Sequence, residues 1–278
     1  MMIPSLDTLV QRADALPSLP EVVRHVMTLL NDADADMDTL VHHINTDPAI
    51  VSRLLAAANA SAFGLPTRVD SARQAFLVLG EDRVVNIILA TALMQRYDAQ
   101  RGGFDARLQW RHALAVATCA RVLAERMGFK REIAFTGGLL HDIGQLLMFA
   151  VAPAAYAEVL RACEADDVPV LQAEIALFGY DHAAAGKQLA IAWDLPGEIA
   201  DAIGAHHEPD ECGDTLCDLV HVANVLAHAL DLGASPYNQV PDLSERACVS
   251  LGLSWPGFAG SFAEIEARYQ GMRLVLGI

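Results

Sequence analysis

The sequence predicts an all-α protein, and three observations carry that expectation. Apolar residues recur at helical spacing along almost the whole chain, alternating runs of β-branched and aromatic residues are missing, and helix start and stop signals bracket the apolar stretches. With 53% hydrophobic and 19% charged residues, the 278-residue chain has the material for a large packed core, which excludes extended disorder.

Each element follows from those signals. Pro20 opens a helix in the front half. Asp47 precedes Pro48 as an N-cap with proline in the first turn, and Ser71 precedes "ARQAFLVL", a helix that ends at Gly80. A helix from Glu81 to around Tyr97 completes a front bundle. The stretch "DAQRGGFD", residues 98 to 105, combines two glycines with charge and is the clearest internal boundary. Beyond it the pattern predicts helices over Gln109–Met127, closed by Gly128, and over Arg131–Val151. Further helices are expected near 153–166, 168–178, 182–193, 196–206 and 214–231. The tail "GASPYNQVPDLSERACVSLGLSWPGF" reads as turn-rich around two or three short helices. No repeat of fixed period and no low-complexity tract interrupts the plan. The expected organisation is an N-terminal helical bundle over 1–99 packed on a second helical domain over 104–231, with a short helical C-terminal extension over 232–278.

Composition narrows the function. Thirty-five acidic against 19 basic side chains give a net charge of −16, which opposes phosphate contacts, so no nucleic-acid partner is expected. Apolar runs such as Leu146–Ala155 are shorter than the roughly 20 residues that span a bilayer, so no membrane insertion is expected. The N-terminus carries no basic flank followed by an apolar stretch, which points to a cytoplasmic location. The five cysteines, Cys119, Cys163, Cys212, Cys217 and Cys248, are odd in number and scattered, so no disulfide framework is expected. Cys212 and Cys217 stand near His206 and His207, which raises zinc, but their gap is at the wide end of ligand spacing and weakens that reading.

The segment "LLHDIGQLLMFA", residues 139 to 150, sets His141 and Asp142 among Leu, Ile, Met and Phe. A buried carboxylate is tolerated when a cation or a full set of hydrogen bonds compensates it. Neighbours on a helix point about 100° apart, so both side chains reach one point only if it lies between their faces. Two readings are open: an ion at that point, or Asp142 paired with a histidine or capping a neighbouring helix. His112 on a preceding helix, His182 at the start of a following one and the doublet His206-His207 at the end of the next favour the first. Imidazole and carboxylate suit zinc, iron or manganese, and inward-pointing ligands from several bundle helices hold one or two such ions. Gly137, Gly138 and Gly186 either permit close helix approach or are packing adjustments. His221, Asn224 and His228 share a helix face and read as a partly buried polar stripe, His25, His42 and His43 as surface or packing residues, and Trp110 and Trp193 as core beside the site.

Several motifs are familiar in this order. "WRH" at 110–112, "HDIG" at 141–144, "DHAAAG" at 181–186, "WDLP" at 193–196 and "HH" at 206–207 resemble the HD superfamily of metal-dependent phosphohydrolases. "LPSLPEVV", "INTDPAIVSRLLAAANASAFGLP" and "ARQAFLVLGEDRVVNIIL" resemble one branch, the HDOD family of HD-related output domains in bacterial signalling proteins. The resemblance covers residues 12 to 211 and implies a helical fold with an HD-like second domain.

Carried onto this chain, the resemblance makes His112, His141, Asp142, His182, His206 and His207 metal ligands, with one or two divalent ions (Fe, Mn or Zn) as cofactor. HD hydrolases complete the site with an aspartate on a later helix; here "LVHVANVLAH" offers Asn224, which brings an oxygen but no charge. The branch that cleaves cyclic dinucleotides carries a lysine after "HDIG" and a "GYP" signature after its HHE, where this chain has Gln145 and "PDECGDTL". The resemblance therefore implies a bacterial signal-transduction output or adaptor protein, non-catalytic, with a degenerate metal site and signalling proteins as partners. Since no separate receiver or cyclase domain fits within 278 residues, its input is expected in trans. The alternative is a metal-dependent phosphohydrolase acting on a nucleotide or phosphate ester, with Asp142 as the candidate catalytic residue.

Overall fold

Short polar side chains open the helices by accepting backbone N–H groups that have no partner in the first turn. Asp47 Oδ1 accepts from Ala49 and Ile50, Ser71 Oγ from Gln74, Asp105 Oδ1 from Arg107 and Leu108, and Asp181 Oδ1 from Ala184. Gly128, at φ +70°, turns into the left-handed region and closes the longest helix, as its position predicts. The computed structural model describes residues 3–12, 21–31, 37–59, 68–96, 100–101, 104–233, 239–253 and 259–278. The Pro20 start signal, the segment 60–67 and parts of the tail lie outside the described residues.

Leu6–Gln11 (α1) is followed by Glu21–Asn31 (α2), Met37–Asn45 (α3), Pro48–Ala58 (α4), Ala72–Leu79 (α5) and Glu81–Arg96 (α6). A minimal antiparallel pair, Gln100–Arg101 (β1) with Phe104–Asp105 (β2), has Gln100 opposite Asp105 and Arg101 opposite Phe104. Then come Ala106–Met127 (α7), Arg131–Leu140 (α8), Ile143–Val151 (α9), Pro153–Asp166 (α10), Val170–Phe178 (α11), His182–Ala192 (α12) and Gly197–Ala205 (α13). A short 3-10 turn, Pro209–Glu211, leads to Thr215–Ala229 (α14), Glu245–Ser250 (α15) and Phe262–Leu276 (α16). The protein is all-α, as expected.

The chain divides into two compact units: Leu19–Arg96 with Gln270–Ile278, and Met1–Ser18 with Tyr97–Tyr269. In the first, α2 to α6 enclose Val23, Val26, Leu40, Ile44, Ile50, Leu54, Ile88 and Leu89, all buried. Asn59 fastens the chain after α4 by accepting from the Val69 N–H and donating to the Val69 carbonyl, both at 2.8 Å.

The second unit carries the histidines. There α7 packs on α8 and α14, and α12 on α9 and α13. Two crossings are too tight for any side chain. A Cβ on Gly138 would lie 2.7 Å from Ala117 Cα, and one on Gly144 would lie 1.9 Å from the His182 carbonyl oxygen and 2.7 Å from Gly186 N. Glycine at 138 lets α8 meet α7, and glycine at 144 lets α9 meet α12, backbone to backbone, which sets His182 beside Asp142.

Two expectations are corrected. Arg131–Val151 is not one helix: α8 stops at Leu140 and α9 starts at Ile143, with Asp142 between them at φ −100°, ψ 13°. The His141 ring donates from Nδ1 to the Gly138 carbonyl at 2.8 Å, the acceptor that a continuous helix offers to the N–H of Asp142. His141 and Asp142 thus sit at a helix break. The second correction concerns Cys212 and Cys217, which form a disulfide with one another and are not zinc ligands. Gly213, at φ +75°, makes the turn that brings them to a Cα separation of 6.4 Å. Arg131–Val151 is, among the described residues, the one segment long and apolar enough to cross a membrane, and its most apolar window is 89% buried inside the fold.

Candidate metal centre

The histidines and Asp142 converge. Asp142 Oδ1 lies 3.1 Å from His182 Nε2 and 3.5 Å from His206 Nε2, and Oδ2 lies 3.3 Å from His141 Nε2. His207 Nε2 is 2.9 Å and His206 Nε2 3.3 Å from His182 Nε2. On the far side, the His112 ring stands 5.3 Å from that of His141, and its Nε2 is 3.0 Å from Asn224 Oδ1. Potential ligand atoms of His112, His141 and Asp142 lie within 4.8 Å of one another, as do those of His182, His206 and His207. All seven residues singled out in the sequence are therefore in one place.

What orients the rings is the nitrogen turned away from the centre. His141 Nδ1 donates to the Gly138 carbonyl, His206 Nδ1 donates to the Ile203 carbonyl at 2.7 Å, and His182 Nδ1 faces Glu174 Oε2 at 2.6 Å. A proton on Nδ1 leaves Nε2 of His141 and His206 as a lone pair pointing inward, the arrangement by which backbone carbonyls and carboxylates prepare imidazoles for metal. His141 Nε2 is fully buried and has no hydrogen-bond partner among the described residues. A lone pair beside a carboxylate, and others gathered within 3.5 Å, leaves the Nε2 atoms and Asp142 needing a positive charge between them. By donor type and by this orphaned nitrogen, the residues fit a divalent ion.

Protonation differs from ring to ring. Burial, and then the rings of His228 and His141, push His112 down to about 3; burial pushes His206 down to about 4. Burial, His206 and His182 likewise depress His207. These three rings are neutral at physiological pH. Burial acts against the charge of Asp142, but His141 and His182 outweigh it and hold the carboxyl well below its ordinary value. His182 is also opposed by burial, yet Glu174 and Asp142 hold it well above the ordinary histidine value.

Two supporting residues escaped the sequence reading. Gln109 Nε2 donates to Asp142 Oδ2 at 2.7 Å. Glu174, fully buried on α11, accepts the backbone N–H of His182 at 2.8 Å as well as facing its ring, and takes the Tyr156 hydroxyl on its other oxygen at 2.8 Å. A carboxylate in the apolar run "VLQAEIALF" is the same kind of signal that singled out Asp142. His221 belongs to the architecture: its Nδ1 donates to the His206 carbonyl at 2.8 Å and its Nε2 accepts from Ser244 N at 3.1 Å.

A cleft of about 810 Å³ opens onto the centre, with Gln109, His112, Asp142, His182, His207 and Asn224 on its floor. Its walls include Leu108, Leu160, Val170 and Val240. Glu164, Asp167, Glu208 and Asp242 line it as well, and no lysine or arginine does so among the described residues.

An all-α unit with a histidine and aspartate centre is what the resemblance to HD-type domains implies. Residues 16–209 match the HDOD domain, and the chain belongs to that family. It is 26% identical over 243 residues to an uncharacterized protein of Treponema pallidum, covering 84% of this chain and 46% of that protein. The chain thus spans about half the length of that relative. The crystal structure of an HDOD domain protein of unknown function from Geobacter sulfurreducens superposes with a TM-score of 0.77 at 25% identity, covering 95% of this chain and 97% of that one. A Shewanella amazonensis protein whose name proposes a phosphohydrolase gives 0.76 at 27% identity, covering 96% and 97%.

Proposed function

We propose that the chain is a signal-transduction output module of the HDOD type, whose buried centre holds a divalent ion (iron, manganese or zinc) and does not hydrolyse phosphate esters. One observation carries the metal reading: imidazoles anchored through Nδ1 turn Nε2 toward Asp142, and one of those atoms, on His141, is buried without a partner. His141, Asp142, His182, His206 and His207 would hold the ion, with His112 and Asn224 flanking them. A bound ion supplies positive charge to a buried carboxylate and can polarise a phosphoryl oxygen. This chain's residues fix the rings through Gly138, Ile203 and Glu174 and keep Asp142 ionised.

The cleft favours a non-catalytic role. A phosphate ester entering it meets Glu164, Asp167, Glu208 and Asp242 with no lysine or arginine among the described lining residues to receive its charge. Asn224 and Gln145 stand where the hydrolases of the superfamily carry an acid and, in one branch, a lysine. A signalling partner follows from the family's role as output domains, with the N-terminal helical bundle as the partner-facing part.

Elemental analysis of protein purified without chelator tests the metal reading: bound metal in the wild type and none in Asp142→Ala is expected. Assays with manganese, iron or zinc against nucleotides and phosphate esters test the rest. Turnover abolished by His141→Ala would overturn the non-catalytic reading in favour of the phosphohydrolase.

A further inference from the structure

The two halves of the centre are not equivalent. On one side, Nε2 atoms of His141, His182 and His206 stand within 3.5 Å of Asp142 oxygens. On the other, His112 has given its Nε2 to Asn224 at 3.0 Å, in a bond between two residues that are both buried. Exchanging the oxygen and nitrogen of the Asn224 amide does not release the ring, because the amide then donates to the same Nε2. His228 covers the His112 ring at a centroid distance of 4.4 Å. His112 and Asn224 are therefore satisfied by each other, whereas His141 Nε2 is not satisfied by anything described.

Charge points the same way. Among the described residues, Asp142 is the carboxylate between the two histidine groups, and Glu174 adds its charge only from behind His182. Two divalent ions would bring four positive charges against these two negative ones, in a site where Asp142 is 7% exposed and Glu174 fully buried. An aspartate at 224 would add the missing charge beside His112. Asparagine instead locks that ring.

We infer that the centre takes a single divalent ion, seated among His141, Asp142, His182, His206 and His207, and that Asn224 is the residue that excludes a second. This rests on the metal-holding reading above. Manganese is the probe: purified protein is stripped, loaded with excess manganese, desalted, and analysed for metal content and by electron paramagnetic resonance. Wild type is expected to retain one ion per chain with the sharp hyperfine pattern of an isolated ion. Asn224→Asp is expected to retain two, with the broadened signal of a coupled pair. His112→Ala is expected to keep the wild-type ion, and His206→Ala to lose it. Two ions in the wild type, or an ion lost in His112→Ala and kept in His206→Ala, overturns the inference without touching the metal reading. No ion in either wild type or Asn224→Asp sinks the metal reading, and this inference with it.

Discussion

Helix α14 carries residues of two polar regions that solve the same problem differently. On one side, fully buried Asp218 is bonded by both terminal nitrogens of Arg246, whose Nε also reaches Asp210 at 2.9 Å, while Ser244 donates to Asp210 at 2.6 Å and its N–H fills the second nitrogen of His221. In this clamp every group just named has a partner of opposite character. On the other side, the centre around Asp142 gathers imidazole lone pairs against a carboxylate and leaves His141 Nε2 without a partner. Closed polar networks hold a fold together, and open ones wait for a ligand. Burial alone does not distinguish the two, since His221 is 2% exposed and His141 is 0% exposed.

The strongest way to break this contrast is to force the helices of the centre apart. Gly144→Ala puts a methyl group 1.9 Å from the His182 carbonyl, backbone that cannot rotate away. It is expected to destabilise by about 4 kcal/mol or more, read as a fall in Tm, and to abolish metal retention. Arg246→Ala attacks the clamp instead. It strips a fully buried carboxylate of its partner, and a lower denaturant midpoint is expected in chemical denaturation, with metal content unchanged. Asp142→Ala should do the reverse: the ion is lost, and metal-free protein unfolds at a denaturant midpoint closer to wild type than that of Arg246→Ala. Equal losses of stability in these two variants would erase the distinction between the regions.

The smallest expected effect is a pH dependence. Ser244 and Arg246 hold the Asp210 carboxyl below its ordinary value. A depressed carboxyl contributes its stability fully above the ordinary carboxylate range, about pH 4, and loses it as pH falls through the folded value. Thermal melts of wild type and Asp210→Asn should therefore differ at neutral pH and converge in acid. Divergence on acidification would contradict the clamp.

Much of this was legible because local rules and tertiary structure agree. The caps at Asp47 and Ser71 need only their own backbone, and Gly128 needs only its own φ, so both kinds of signal read correctly from a few residues. The gathering of His112, His141, His182, His206 and His207 was expected from their unlikely positions on apolar helices and from motif order. The helix break was hidden because the apolar period runs through His141 and Asp142 undisturbed, and only the ring's bond to Gly138 interrupts the ladder. Gln109 was hidden for another reason: it looks like an ordinary polar residue until the fold reveals which face it occupies. The Cys212–Cys217 bridge depended on the turn at Gly213, which a count of cysteines does not register.

Glu174 has one more consequence. A single oxygen of its carboxylate receives the first backbone N–H of α12 and meets the ring of the same residue, His182. The end of that helix cannot fray without loosening the imidazole, and the imidazole cannot swing away without uncapping the helix. Anything that tugs on the Phe178–Asp181 connection is thereby transmitted to the heart of the unit, and whatever settles there stiffens that connection in return.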